Sequence, residues 1–336
     1  MRFTKRHRSL LRVITVILLI ALVLFFKIDL NETLVLLGKA NIWLVTLAVL
    51  GFVPFLLLKA WRWQIVLRDL GVSIPFREAM RLYALGLGAG MITPGNVGDA
   101  IKVAYFRERG FSQSVISVVL DRIWDVVILL LLAGSGVFVF TQFALGQWVM
   151  LALLLGGTLA MLVVTIHPRT QRWVFHFFLR LRKSKSEAQH YVPATLTARQ
   201  VLIQFAVSVF ATIVVYARVL LCAAALSIFL APLPFIAAMS WASIAQLLAI
   251  LPFGVGPREG ILLLLAPTLG ITPAQALALS ALLFLLQLEN GIIGFVVWLL
   301  ESSKSPVASQ QSPQGKLLTA DQRPPSAETS ASSSGR

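Results

Sequence analysis

The sequence predicts an all-α, polytopic transmembrane helical bundle, and three observations lead to that fold class. Hydrophobic residues make up 58% of the 336 residues and charged residues 13%, roughly half the charged fraction of a typical soluble chain. The apolar residues occur in runs long enough to cross a bilayer as helices. The basic residues, which give a formal net charge of +15, collect between these runs, and this is the pattern of cytoplasmic loops.

The apolar runs predict about six full spans. We expect both termini in the cytoplasm, because a basic arm precedes the first span and tryptophans beside basic residues at Lys59–Trp63 indicate a headgroup-level end of the second. Residues 1–9 form the cytoplasmic arm, residues 10–301 the membrane domain with an interfacial basic loop at 167–199, and residues 302–336 a disordered cytoplasmic tail. The predicted spans are 12–28, 42–58, 115–140, 147–166, 199–230 and 274–300.

Two further apolar segments, 77–99 and 235–269, are short and interrupted, and we interpret them as re-entrant hairpins. The first contains Gly86, Gly88 and Gly90, which predict close helix packing. The second is broken at 250–260 by two prolines and three glycines, which stop a continuous helix. Irregular backbone at membrane depth is tolerated only where protein or a water-filled cavity surrounds it. Both breaks are therefore candidate sites.

The two hairpins resemble each other in sequence. Asp99 is followed eleven residues later by Gly110-Phe-Ser112, and Glu259 is followed eleven residues later by Gly270-Ile-Thr272. We expect Ser112 and Thr272 to cap the spans that follow. Since the predicted topology places the two units on opposite sides, the pattern indicates an inverted repeat, as in transporters that bind substrate between broken helices.

The motifs that precede and follow these breaks resemble the lysylphosphatidylglycerol synthase transmembrane region, a flippase-like family that includes the membrane half of the multiple peptide resistance factor. The resemblance covers about residues 10–300 and implies a polytopic bacterial inner-membrane protein that moves or handles a lipid, such as an aminoacylated or polyprenyl-linked one. Asp99 and Asp121 stand where family members often have glutamate. No soluble aminoacyltransferase domain is present, so we do not expect this chain alone to make lysylphosphatidylglycerol. The matching motifs are Pro94–Asp99, Lys102, Gly110-Phe-Ser112, Asp121-Arg122-x-x-Asp125 and Pro252–Glu259.

Charged residues inside or beside apolar sequence are the predicted substrate-binding residues, because each costs about 2.5–3.5 kcal/mol to insert without a partner or a purpose. We expect Arg258 and Arg218 to bind an anionic headgroup, helped by free N–H groups at a helix start beside Arg258. Glu259 and Asp99 are expected to gate the site or couple protons. The full set is Arg258, Glu259, Asp99, Lys102, Arg218, Arg122, Asp121 and Asp125.

Structural roles are the alternatives for several of these residues. Arg122 and Asp125, three residues apart, are spaced to pair, and the carboxylates of this span could instead lock it to Arg218 on a neighbour. Asp99 and Lys102 could simply be solvated. Glu289 is interpreted as a packing or water-facing polar group, with a proton-coupling role open.

These patterns predict a lipid translocase for an anionic phospholipid or an isoprenoid-phosphate-linked lipid, with membrane lipid as its partner. The alternative is a non-transporting membrane enzyme or subunit that acts on lipid-linked sugar or aminoacyl-lipid, with a glycosyltransferase or lipid-synthesis partner and Asp99 or Asp125 as base. A third reading is a scaffold that recruits a partner through loop 167–199. The transporter is favoured, because the sequence has no hydrolase or nucleotide-binding motif.

We expect no metal, cofactor or nucleic acid. The histidines lack metal-ligand spacing, and a net positive charge between apolar spans fits anionic lipid headgroups. Cys222 is the single cysteine, so an internal disulfide is excluded. The histidines are His7, His167, His176 and His190.

Overall fold

The computed structural model describes residues 29–93, 98–99, 101–105, 107–140, 144–167, 169–173, 196–248 and 256–302. This part of the chain is 88% helical and contains no strand. Met1–Trp298 forms a compact unit, and of the second unit, Leu299–Arg336, only the end of the last helix is described. The predicted first span, most of the basic loop, residues 250–255 of the second break and the C-terminal tail lie outside the described residues.

The helices follow one another with short connections. Their bounds are α1 Leu30–Gly38, α2 Ile42–Leu50, α3 Phe52–Asp69, α4 Phe76–Ile92, α5 Ile101–Tyr105, α6 Arg107–Phe140, α7 Ala144–Ile166, α8 Ala198–Ala225, α9 Pro232–Leu248, α10 Pro257–Leu269 and α11 Pro273–Ser302.

Four helical segments are long and apolar enough to cross a membrane. They correspond to four of the predicted spans, and α6, with 34 residues, covers a fifth. The predicted end of the second span is wrong, because helix α3 runs on to Asp69. The total of six spans stays a prediction. The four segments are Ile42–Asp69, Trp148–Ile166, Ala198–Ala225 and Pro273–Leu300.

The two interrupted segments form pairs of short helices. Helix α4 has 17 residues and α10 has 13, which gives lengths of about 26 and 20 Å at 1.5 Å per residue. Both are shorter than the roughly 30 Å of bilayer hydrocarbon. Helix α4 packs against α5, and α9 packs against α10. Each pair thus has the dimensions expected of a hairpin that enters the membrane without crossing it.

The helix order repeats at a constant spacing. Helix α3 ends at residue 69 and α8 at 225, α4 begins at 76 and α9 at 232, and α4 ends at 92 and α9 at 248. Each later number is the earlier one plus 156. The predicted repeat is therefore present in the order and lengths of the helices. The opposite orientation of its two units stays a prediction.

Contacts between the units are exchanged in the way a two-fold relation requires. Helix α4 of the first unit packs on α11 of the second, where a Cβ on Gly88 would lie 2.7 Å from the Cα of Gly294. Helix α9 of the second unit packs on α6 of the first, where Trp241 Nε1 donates to the Ala133 carbonyl at 3.0 Å. Helices α3 and α8, equivalent to each other, pack together. The predicted close packing is confirmed at Gly88.

The two predicted helix caps have different outcomes. Thr272 Oγ1 accepts from the Gln275 N–H at 3.1 Å while the Gln275 side chain accepts from the Thr272 N–H at 2.9 Å, so the cap of α11 is confirmed. The cap at Ser112 is wrong, because α6 begins at Arg107 and the helix continues through Ser112. The first unit lacks the break that Gly270, in the left-handed conformation, makes in the second.

Candidate functional site

Seven charged side chains from α3, α5, α6 and the connection before α5 form a single series of ion pairs that alternates in sign. We call this series the ion chain. It contains four cations and three carboxylates, so a cation stands at each end. In order, its members are Arg122, Asp99, Lys102, Asp121, Arg62, Asp125 and Lys59.

Asp99 bridges two cations at one end of the ion chain. Its Oδ2 accepts from Arg122 Nε at 3.1 Å and lies 3.0 Å from Nη2. Its Oδ1 lies 2.7 Å from Lys102 Nζ, which in turn lies 3.7 Å from Asp121 Oδ2. Arg122 therefore pairs with Asp99, and the predicted pairing of Arg122 with Asp125 is wrong.

Arg62 organises the other end. Its Nε and Nη2 donate to Asp121 Oδ1 at 2.9 and 2.7 Å, and its Nη1 donates to Asp125 Oδ1 at 2.6 Å. Nη1 also donates to Ser208 Oγ on α8 at 3.1 Å. The Lys59 ammonium pairs with the same Asp125 oxygen. The guanidinium thus joins three helices, because its planar array of donors satisfies several acceptors at once.

Helical spacing explains how the local sequence presents these groups. Lys59 and Arg62 are three residues apart on α3, and Asp121 and Asp125 are four apart on α6, so each pair shares one face of its helix. Helix α3 packs against α6. Both faces carry opposite charge, and the ion pairs therefore form where the two helices meet.

A glycine on α4 makes room for the other end. A Cβ on Gly86 would lie 2.3 Å from Asp99 Oδ1 and 2.5 Å from Lys102 Cε. Lys102 Nζ lies 3.8 Å from the centroid of the Tyr83 ring and 5.1 Å from that of Trp63. Among the described residues this ammonium accepts support from Asp99 and the two rings, without a well-aligned hydrogen bond.

Burial falls along the ion chain from its centre to one side. The side chains of Arg62 and Lys102 are fully buried, whereas that of Arg122 is 33% exposed and that of Asp125 is 22% exposed. The ion chain therefore opens at Arg122 and Asp125. With four cations against three carboxylates it carries one net positive charge, which favours an anion at the open side because an uncompensated buried charge is costly.

The second break carries a separate, neutral group. Arg258 Nη2 lies 2.8 Å from Glu259 Oε1, which also accepts from Ser280 Oγ at 2.6 Å. Glu259 Oε2 accepts from the Gly256 N–H at 2.6 Å. Both charged residues lie in the first turn of α10, and Glu259 caps its own helix. The expectation of a free N–H at this helix start is wrong for Gly256, because that donor is already bound.

Arg218 on α8 belongs to a third group. Its Nη2 lies 2.5 Å from Glu289 Oε2 on α11, and its Nε donates to the Ala48 carbonyl at 2.7 Å. The suggested lock between Arg218 and the carboxylates Asp121 and Asp125 is therefore wrong. Glu289, interpreted from the sequence as a packing or water-facing group, is the counter-ion of Arg218.

Arg218 is the repeat equivalent of Arg62, because position 62 plus the spacing of 156 is 218. In both units this arginine, on the first long helix, pairs with a carboxylate on the last one. The first unit has two further cations in contact with its carboxylates, Lys59 and Lys102. The net charge therefore distinguishes two otherwise related arrangements.

Lys59, Arg62 and Tyr83 were missing from the predicted set. The sequence placed Lys59–Trp63 at the headgroup level, yet Arg62 and Trp63 are fully buried. A signal was present, since Ile65, Val66 and Leu67 continue the apolar run past the charges. Tyr83 donates to Asp121 Oδ2 at 3.2 Å, and nothing in its local sequence indicated this contact.

An apolar groove of about 450 Å³ lies on the other face of α3. Trp61 and Leu57 in it are exposed, at positions on the helix opposite to Lys59 and Arg62. One helix thus presents charge to the protein interior and hydrocarbon to its surroundings. The groove is lined by Leu57, Leu58, Trp61, Gln64 and Phe76.

The helices and their apolar surfaces define a multi-pass integral membrane protein with an all-α bundle. The family described as "Lysylphosphatidylglycerol synthase TM region" matches residues 9–294, and the chain belongs to that family. This confirms the resemblance seen in the sequence and relates the protein to lipid metabolism.

One relative is the UPF0104 membrane protein PH1989 of Pyrococcus horikoshii, which is 27% identical over 114 residues. The match covers 32% of this chain and 34% of the relative. The chain thus matches about a third of that relative's length.

Proposed function

We propose that the protein binds an anionic lipid headgroup at the open side of the ion chain and moves the lipid between the leaflets of the cytoplasmic membrane. The observation that carries the proposal is the net positive charge of the ion chain. The groups at Arg258–Glu259 and Arg218–Glu289 are neutral in themselves. A buried cation without a counter-ion in the protein is stabilised by an anion that arrives as ligand.

The arrangement of helices supports movement of the lipid as well as its binding. Two related units exchange their hairpins, and each hairpin packs on the last long helix of the other unit. Repeats of this kind, when oppositely oriented, give two conformations of similar energy that open on opposite sides. We place both termini in the cytoplasm, and assign the release of the headgroup to a rearrangement at the two breaks.

The proposal is tested in liposomes that contain the purified protein and phospholipids or polyprenyl phosphates with a fluorescent tail. The measured quantity is the rate at which an impermeant quencher extinguishes label that begins in the inner leaflet. Wild type should accelerate this rate for at least one anionic lipid, and Arg122→Gln should remove most of the acceleration. Arg68→Gln is the matched control, because Arg68 is exposed at the end of the same helix that carries Arg62.

Equal rates in wild-type and empty liposomes for every lipid would refute translocation. Acceleration that Arg122→Gln leaves unchanged would instead refute the location of the site.

A further inference from the structure

The geometry at Arg122 points to a more specific assignment, which rests on the proposed binding of an anionic lipid. We infer that the ligand is a singly charged phosphodiester, and that its phosphate exchanges with the Asp99 carboxylate at Arg122. Asp99 is then an internal anion that competes with the ligand. Nothing in the family description assigns such a role to either residue.

The hydrogen bonds of Arg122 are the first argument. Both Nε and Nη2 are directed to one oxygen of Asp99, at 3.1 and 3.0 Å, while the other oxygen faces Lys102. Nη1 makes no hydrogen bond within the part of the chain that the structure describes. A guanidinium has five N–H donors and binds planar anions best through two parallel bonds. Arg122 therefore retains donors for a second anion.

Exposure is the second argument. Asp99 and Lys102 are buried to 3% and 0%, and Arg122 is 33% exposed. Arg122 is thus the cation of the ion chain that a ligand meets first. A headgroup bound to it lies beside Asp99, and two anions that share one cation repel each other.

The backbone that carries Asp99 is the third argument. Gly98 and Asp99 lie in the connection between α4 and α5, outside both α-helices. This connection is held by the Gly98 N–H, which donates to Thr93 Oγ1 at 2.6 Å. A carboxylate on a short connection moves at lower cost than one on a packed helix, since fewer backbone hydrogen bonds break. Asp121 and Asp125, on α6, have no such freedom.

The charge of the ion chain sets the charge of the ligand. One net positive charge is neutralised by one negative charge, which is what a phosphodiester carries. A polyprenyl monophosphate approaches two negative charges at neutral pH, as phosphate monoesters do, and would leave the buried group negative. Charge balance in a low-dielectric interior therefore favours a phosphodiester lipid such as phosphatidylglycerol over a phosphate monoester.

The test is equilibrium binding of two tail-fluorescent probes, phosphatidylglycerol and undecaprenyl phosphate, to the purified full-length protein in uncharged detergent micelles. Wild type should prefer phosphatidylglycerol. Arg122→Gln should weaken phosphatidylglycerol binding about tenfold or more, because it removes the cation. Asp99→Asn should strengthen it several-fold, because it removes the competitor, and should shift preference toward undecaprenyl phosphate by adding one net positive charge.

The opposite signs are decisive, since both substitutions break the same ion pair. If Asp99 only positioned Arg122, both variants would weaken binding, and that result would overturn the inference. Tighter binding of undecaprenyl phosphate by wild type would overturn the charge rule. Arg122→Lys, which keeps the charge, and thermal unfolding of every variant identify losses that come from misfolding. Because binding is measured without transport, an unchanged binding pattern with no lipid movement would refute only the proposed translocation.

Discussion

Arg62 is the residue whose removal should destabilise the protein most among the single members of the ion chain. Its side chain is fully buried and donates to Asp121 and Asp125 on α6 and to Ser208 on α8. In the variant Arg62→Gln, Asp121 stays fully buried with the Tyr83 hydroxyl at 3.2 Å and Lys102 Nζ at 3.7 Å. Breaking a buried ion pair by removing one partner costs about 3–5 kcal/mol.

We therefore expect Arg62→Gln to lower the free energy of unfolding by about 3–5 kcal/mol, which is roughly a 10²- to 10⁴-fold change in the unfolding equilibrium. The assay is reversible unfolding by denaturing detergent in mixed micelles, followed by tryptophan fluorescence, since Trp63 and Trp124 are buried near the ion chain. The double variant Arg62→Gln with Asp121→Asn should recover part of the loss, because it leaves a neutral pair.

The matched control is Arg68→Gln, at an exposed position of the same helix, which should change stability by less than about 0.5 kcal/mol. A loss below about 1 kcal/mol for Arg62→Gln would refute the reasoning, as it would mean that water already reaches the group. A double variant less stable than the single one would show that Asp121 is held by something other than charge.

Four further predictions concern packing and the other charged groups. Gly88→Ala should cost about 1–3 kcal/mol, because the new Cβ would lie 2.7 Å from the Gly294 backbone; Gly156→Ala, with open space around it, should be neutral or stabilise by up to about 1 kcal/mol, both measured by thermal unfolding. Thr272→Ala should cost about 1 kcal/mol in the same assay through loss of the α11 cap. Glu259→Gln should destabilise more than Glu289→Gln in detergent unfolding, since Glu259 is held by three groups and Glu289 by Arg218 alone among the described residues; the reverse order would contradict this. Gly86→Ala should lower phosphatidylglycerol affinity more than it lowers stability, because it displaces Asp99 and Lys102, and equal effects on both would speak against that.

Features set by neighbouring residues were predictable from the sequence. The break at 250–260, the cap at Thr272 and the adjacent pair Arg258–Glu259 follow from proline and glycine chemistry, from side-chain capping and from proximity along the chain. The repeat was visible from Asp99 and Glu259, because each follows a Pro/Gly-rich stretch. The hairpin helices then took the lengths that these punctuating residues allow.

Partners far apart in the chain were not predictable in the same way. Arg218 has carboxylates available on both α6 and α11, and the choice of Glu289 depends on which helix packs beside α8 near the arginine. Lys59 and Arg62 were assigned to the membrane surface by a rule that treats each span alone. That rule fails where α6 supplies two carboxylates to a neighbouring helix, since pairing offsets the cost of burial.

The sequence separation between Arg62 and its counter-ions has a consequence for biosynthesis. Asp121 follows Arg62 by 59 residues, and Asp125 follows Lys59 by 66. A ribosome that adds about 5–20 residues per second needs roughly 3–13 s to make that length of chain. During this interval α3 has left the ribosome while the acidic face of α6 does not yet exist.

Each unpaired charge at the centre of a span costs about 2.5–3.5 kcal/mol at the translocon. The apolar first half of Ile42–Asp69 therefore enters the bilayer first, and Lys59 and Arg62 wait at the water boundary or in the insertion machinery. Their descent to the interior is a late step of membrane integration, completed when α6 arrives. The nascent chain consequently passes through a stage in which α3 is shallower in the membrane than in the finished protein.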